Sequence, residues 1–369
     1  MQFQPDALGS YAPDDVTFLL RDLSHVNLEL ATEEREVSIQ SGKRHYSEML
    51  PIEFQPDEDY MALYNQILEQ HAKKVASCVA IVAEKMAAYR GVNDLVLVSL
   101  ARAGTPVGVL LKRYFHTFYG VNVPHYSVSI IRGRGIDETA LRYILQHHPH
   151  AKVQFVDGWT GKGAITKELD QSITTWNQNE DIKLDAYLAV LADPGHCAHF
   201  YGTQEDFLIP SACLNSTVSG LVSRTVLNDA FLETGDFHGA KYYRELEPFD
   251  VSTSYIEAIV AHYSDELVQE AKLAMKAAPV LVIPSWQGLD TIKEMQQQFD
   301  IQTINHIKPG VGETTRVLLR RVPWKILVNP HATQNLAHIL LLAKKRGVAV
   351  ESYEQMPYAC CGLIKDLTR

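Results

Sequence analysis

The chain reads as an α/β protein with a mostly parallel sheet, a helical N-terminal region and a small C-terminal α/β sandwich. Three observations predict this. Short apolar runs between residues 95 and 192 (LVLVSLA, HYSVSII, KVQFV and YLAVLA) alternate with helix-length amphipathic stretches, the pattern of buried parallel strands covered by helices. The same alternation restarts after Pro279 and continues for about ninety residues, the size of a second domain. Charge is also uneven. From Asp300 to Arg369 ten Lys/Arg stand against five Asp/Glu, a balance of +5 within a whole-chain charge of −10, which leaves −15 elsewhere. A basic block joined to an acidic body suggests two jobs on two domains.

The elements follow in order. Asp14 and Asp15 sit where an N-cap would, ahead of Val16, Phe18, Leu19, Leu20 and Leu23, so the start is expected to be helical. SGKRHYSEMLP is a polar loop, and Tyr60 through Met86 carries the period of one long helix or two shorter ones. DLVLVSLA is the first sheet strand, after which Pro106 opens a helix. HYSVSII, KVQFVD and DAYLAVLAD are further strands, with helices from DETALRYILQHH and from Gly163 onward. A helix over about Ser252–Lys276 ends before Pro279. Beyond it, PVLVIPS, QTINHI, KILVNP and AVESY are expected strands, separated by helices near 288–299, 312–321 and 333–346. The domain boundaries expected are 1–277 and 278–369.

No run approaches the eighteen or so apolar residues of a membrane span. The N-terminus has neither the basic nor the apolar region of a secretory signal. Five cysteines, odd in number and irregularly spaced, suit a reducing, cytoplasmic setting rather than a disulfide framework.

The most informative segment is VQFVDGWTGKGAITKEL, Val153 to Leu169. An apolar strand ends in Asp157, and a Gly/Thr/Lys-rich turn leads into a helix. Such a turn offers backbone N–H groups and a helix N-terminus to an anion. Gly158, Thr160, Gly161 and Gly163 form the cradle, Lys162 adds a charge, and Asp157 is placed to accept from ribose hydroxyls. It is not a Walker A loop: Gly163 follows Lys162 where Ser or Thr is needed. SLARAGTPVG follows the first strand and carries Arg102, Ala103, Gly104 and Thr105. IIRGRGIDETA ends the next strand with Arg132 and Arg134. All three loops fall at the C-terminal ends of neighbouring parallel strands, where open α/β sheets bind ligands.

VDGWTGKG resembles the ribose-phosphate signature of the type I phosphoribosyltransferases, with Gly158 in place of the second acid. The resemblance implies a Mg²⁺-dependent glycosyl transfer from phosphoribosyl pyrophosphate (PRPP). In that reading Asp157 orients the ribose, the turn holds the 5-phosphate, and Arg102 with residues 103–105 holds pyrophosphate. Arg132 and Arg134 then close the site, and the usual oligomer is a homodimer. More widely, GSYAPDDVTFLLRDL, SGKRHYSEMLPIE, SLARAGTPVGVLLKR, FVDGWTGKGAITKEL, IPSACLNSTVSGLVSRT and PYACCGLI resemble the StiP-type family found with tellurite-resistance stress operons. That family joins a phosphoribosyltransferase-like region to a C-terminal pelota-like (L7Ae-like) RNA-binding domain. The implied role is making or cleaving a nucleoside or nucleotide bond in a stress response.

KPGVGETTRVLLRRV resembles the L7Ae-type signature, which implies contacts to a structured RNA from Glu313, Arg316 and Arg320. On a helix these share one face, with Leu318, Leu319 and Val322 opposite. MPYACCGLI falls where related domains place a second RNA-contacting loop. A basic solvated helix with no RNA role is the alternative. Members of the family are sometimes labelled cysteine proteases. The candidate nucleophiles are then Cys197, beside His196 and His199 in DPGHCAHF, and Cys213 in IPSACLNSTVSG. A nucleophile needs a base within hydrogen-bond reach in space, and small buried cysteine is the commoner state. No metal site is expected among these residues. A non-catalytic nucleotide sensor that controls RNA binding is the remaining alternative.

Overall fold

The computed structural model describes residues 4–30, 44–53, 55–332 and 335–364, leaving aside the side chains of residues 59, 319 and 320. Six parallel strands form the main sheet: β1 Thr17–Leu19, β2 Leu95–Ala101, β3 His125–Ile131, β4 Lys152–Val156, β5 Leu188–Ala192 and β6 Phe200–Thr203. Their spatial order is β1-β3-β2-β4-β5-β6. A two-residue segment, Gly135–Ile136, pairs antiparallel with β3. The helices of this part are α1 Glu58–Arg90, α2 Gly104–Tyr119, α3 Glu138–His147, α4 Ala164–Asn179, α5 Ser252–Val260 and α6 Asp265–Lys276. Period-two alternation divides each strand between two faces. Leu95 and Leu97 enter the core that holds α1, α2, α5 and α6, whereas Val96, Val98 and Leu100 enter the one beneath α3 and α4.

The N-terminal expectation is corrected. Asp14 and Asp15 cap no helix. Phe18, Leu19 and Leu20 are all buried, on alternating faces, which a strand can satisfy and an amphipathic surface helix cannot. Asp15 instead takes both arms of the Arg113 guanidinium, at 2.6 and 2.8 Å. The run from Tyr60 is one 33-residue helix, begun by the Asp57 carboxylate accepting the Tyr60 N–H. The helix expected over Ser252–Lys276 breaks in two, with Ser264 capping the second.

The C-terminal part contains α7 Gln287–Gln298, β7 Ile307–Pro309, α8 Val311–Arg320, β8 Pro323–Val328, α9 Ala337–Arg346, β9 Ala349–Ser352 and β10 Cys360–Ile364. Its sheet runs β7-β10-β8-β9, with β10 antiparallel to both neighbours and β8 parallel to β9. Several expectations fail here, among them QTINHI, which is a 3-10 turn over Ile304–His306 before β7 begins at Ile307. PVLVIPS is not a strand: Ile283 is 90% exposed, and Val282 makes a single link, its N–H to the His199 carbonyl. The supposed RNA loop PYACCGLI holds the inner strand β10, with Cys360, Cys361 and Leu363 fully buried. Val322 is half exposed rather than in the core.

The two parts share packing. Phe207, Ile209 and Ala212 lie in one continuous apolar cluster with Val311, Leu318 and Ile326. Beside it, the buried Asp206 carboxylate accepts the Val311 N–H at 2.9 Å and the Ala359 N–H at 2.8 Å. It thereby caps α8 from outside that helix's own domain. Further links run from the Trp286 N–H to the His196 carbonyl, from the Gly288 N–H to the Gly195 carbonyl, and from the Tyr358 hydroxyl to the Gly161 carbonyl. Among the described residues no helix is long and apolar enough to cross a membrane.

Asp206→Ala leaves two buried N–H donors without their acceptor. It is expected to cost roughly 2–4 kcal/mol in urea unfolding and to loosen the C-terminal part first. A loss below about 0.5 kcal/mol would show that water replaces the carboxylate.

Candidate functional site

The chain leaves β2 through α2 toward β3 on one side and leaves β4 through α4 toward β5 on the other. The crevice between their C-terminal ends is the switch point of the sheet. The two loops touch there: a Cβ on Gly104 would stand 2.3 Å from the Val156 carbonyl oxygen. The C-terminal domain closes the far side, so the crevice becomes a cleft lined by Arg102, Asp157, Trp159, Lys162, Lys308 and Arg316.

The expected residues do not all meet in it. Arg102 is directed to the Val222 carbonyl at 3.1 Å and to Glu53 at 3.7 Å. Ala103 lines the cleft, but Thr105 is buried, its hydroxyl 2.8 Å from Ser127. Thr160 also turns inward, donating to Asp193 at 2.6 Å. Arg132 faces the cleft mouth over the Tyr46 ring, whereas Arg134 is drawn off to Glu48 at 3.2 Å. The Arg132–Arg134 loop is pinned, since Glu168 accepts the N–H groups of Gly133 and Gly135. Lys162 donates to the Ile304 carbonyl at 2.6 Å, across the domain boundary. Glu313 and Arg316 pair at 2.9 Å, and Arg316 lies over Trp159 while donating to the Ala212 carbonyl. The helix bearing the supposed RNA face is therefore turned toward the first domain. The Arg320 side chain lies outside the described residues.

Burial sets the electrostatics. Desolvation raises Asp157 to about 7, against the opposing pull of the Gly158 N–H and Arg316. Lys162 is lowered to about 7, by burial first and then by Lys308 and Arg132. Burial pushes Glu313 up, but Arg316 and Lys308 together outweigh it and hold the carboxyl below its ordinary value. The groups expected to grip ribose and phosphate are thus partly neutral near pH 7 or already engaged.

All five thiols are buried. Cys197 lies under the Gly161–Gly163 turn: a Cβ on Gly163 would come within 3.1 Å of its Sγ and within 2.5 Å of the Trp286 ring. Its polar neighbours are the Thr160 and Thr166 hydroxyls and Asp193, whose carboxylate accepts the Cys197 N–H at 2.9 Å. Burial, then the Asp193 charge, pushes the thiol up to about 12. The neighbouring histidines are engaged elsewhere. His196 Nδ1 is 3.0 Å from the Gln204 amide, and His199 Nδ1 accepts the Leu188 N–H. Cys213 is buried beside Tyr64 and Tyr255, and its carbonyl accepts the Tyr60 hydroxyl. Sequence reasoning missed Trp159, Lys308 and Trp286. Trp159 stood inside the quoted motif, and a large aromatic in a glycine turn was the available signal. Among the described residues no three His, Cys, Asp or Glu side chains gather as a metal site.

A parallel α/β domain with a shielded thiol, roofed by a small α/β sandwich across a cationic cleft, is the class that fold and site define. Residues 9–260 match the family model described as tellurite-like stress resistance cysteine protease StiP, and residues 286–366 match the PELOTA RNA binding domain. The chain is 36% identical to the cysteine protease StiP of Acinetobacter baylyi over 370 residues, covering 97% of this chain and 94% of that relative. The chain belongs to the StiP family, and its C-terminal domain is of the Pelota RNA-binding type. The expectation of phosphoribosyl transfer is corrected by these findings: the family and the relative carry a cysteine protease description. The geometry gives a physical reason, since Gly158 replaces an acid, Lys162 is spent on Ile304, and Arg102 is held by Glu53 and Val222.

Because Asp157 is raised in the fold, the native chain holds a proton that the unfolded chain sheds above about pH 4. Its contribution to stability is therefore greatest below pH 4 and is lost as pH rises toward 7. Asp157→Asn should gain on the wild type by roughly 1–3 kcal/mol between pH 4 and pH 8 in denaturant titrations. A difference that does not change with pH would mean that the carboxylate is already ionised in the fold.

Proposed function

We propose that the chain is a cysteine-dependent hydrolase that uses Cys197 and is latent while the C-terminal domain is seated as described. One observation carries the choice of thiol: Cys197 Sγ is separated from the cleft by the thickness of a single glycine, Gly163. The family description supports the reaction class. In this reading the proton of Cys197 passes through the Thr160 hydroxyl to the Asp193 carboxylate, a base strengthened by burial. The thiolate adds to the scissile carbonyl, and the leaving group departs with that proton. Water, deprotonated by the same carboxylate, then cleaves the thioester and restores the thiol.

At about 12 the thiol is a poor nucleophile. Withdrawal of the Trp286 ring from Gly163 would admit water and substrate together and bring that value down. The Pelota domain, which carries Trp286, is then the element that opens the site. The same reading takes the first part, 1–277, as a type I phosphoribosyltransferase-like scaffold kept for its crevice, with 278–369 as an L7Ae-like sandwich.

The test is hydrolysis of a labelled unfolded protein by the full chain. Cys197→Ser should lower the rate by about 10³-fold or more, with Cys213→Ser close to wild type. A Cys197→Ser rate equal to wild type, or loss in Cys213→Ser alone with its fold intact, would overturn the assignment.

A further inference from the structure

We infer that the cleft between the two domains is a track for single-stranded RNA, so that the nucleic acid is held by the first domain as well as by the Pelota domain. The inference rests on the Pelota domain's binding of RNA and adds where the strand runs.

Three chambers adjoin. The outermost, about 470 Å³, lies between Arg132, Lys167, Tyr46 and Trp286. It shares Arg132, Lys162 and Gly163 with a middle chamber of about 280 Å³, which adds Lys308 and Trp159. The middle one shares Asp157, Trp159 and Arg316 with an inner chamber of about 250 Å³ that reaches Arg102. A strand entering at the mouth therefore follows one continuous path from the first domain to the wall formed by α8.

Cations outnumber acids along that path: Arg102, Arg132, Lys162, Lys167, Lys308 and Arg316 stand against Asp157, Glu168 and Glu313. Arg102 faces Glu53, Lys162 donates to Ile304 and Arg316 pairs with Glu313, which leaves Arg132, Lys167 and Lys308 to meet a phosphate chain. Burial keeps Asp157 largely protonated below neutral pH. Arg132 and Lys167 are solvent-exposed at the mouth, where the first turn of α4 begins without a side-chain cap. A positive groove with a helix N-terminus attracts a phosphate chain.

An acidic peptide would answer to charge alone, but the rings speak for bases. Tyr46 and Trp286 line the outermost chamber and Trp159 the middle and inner ones, each ring partly exposed. Cationic tracks with interleaved aromatic faces are how proteins bind unpaired bases, because every base has a π-face. A duplex keeps its bases stacked inside and would leave those rings unused.

The experiment is fluorescence anisotropy of the full chain with a short fluorescein-labelled oligouridine, the same length as a duplex, and a polyglutamate peptide of equal charge. The variants are Arg132→Ala/Lys167→Ala at the mouth and Lys344→Ala/Lys345→Ala, two exposed lysines at the end of α9 that line none of the chambers. The mouth variant should weaken oligouridine binding by tenfold or more and flatten its salt dependence by roughly 0.7 in log–log slope per phosphate lost. The α9 variant should change it less than threefold, and the duplex and peptide should bind more weakly. Oligouridine binding unchanged in the mouth variant overturns the track while leaving RNA binding by the Pelota domain intact. No RNA binding by the wild type removes both readings, and tighter binding of polyglutamate makes the cleft a peptide groove.

Discussion

The arrangement depends on a carboxylate placed outside the domain that it organises. Asp206, just past the last strand of the main sheet, satisfies the N–H groups of Val311 and Ala359, which begin α8 and precede β10. Burial raises it to about 6, so it is held there at a cost, and the donors it satisfies make up for that cost only when both domains are in place. The cleft exists because this joint fixes α8 opposite the crevice of the sheet. Lys162 and Tyr358 repeat the principle on the other flank, each tying one domain's side chain to the other's carbonyl. The second domain is therefore a wall of the site as well as an appendage.

Where residues carried a strong local signal, the sequence was informative. The runs that became β2 and β5 are apolar on both faces, which only a sheet covered on both sides can bury, and the loops after β2, β3 and β4 carried the glycines and cations that line the cleft. Short elements were illegible. Three residues of β1 beside two aspartates look like a capped helix, because an edge strand of that length has no period to display. Strand β10 was expected as a loop from the resemblance alone, with Pro357 before it and Gly362 inside it, and only its pairing with β7 and β8 makes it central. The opposite error at PVLVIPS has a similar cause: an apolar run predicts burial in general but not which partner supplies it.

The site shows the same division. That Asp157, Lys162 and Arg316 converge follows from loops at one end of a sheet and a helix of the other domain. What they do there depends on partners far away in sequence: Ile304 for Lys162, Glu53 for Arg102, Glu48 for Arg134. A phosphate-type motif can thus keep its shape after its charges have been redirected. Cys197 was visible as a residue but not as a neighbour of Gly163, since that adjacency arises from the turn after β4 folding onto the loop after β5.

The burial of all five thiols has a consequence for the life of the molecule. Oxidants, disulfides and electrophiles react with thiolate at an accessible surface, and the ladder from sulfenic to sulfonic acid begins there. With every sulfur enclosed, and with Cys78 and Cys197 held near 12 and Cys360 and Cys361 pushed higher still, the chain offers almost no target. Its sulfhydryls are thus shielded together by the fold, and become targets when the fold opens, whereas a constantly exposed thiol would be consumed by the same oxidants.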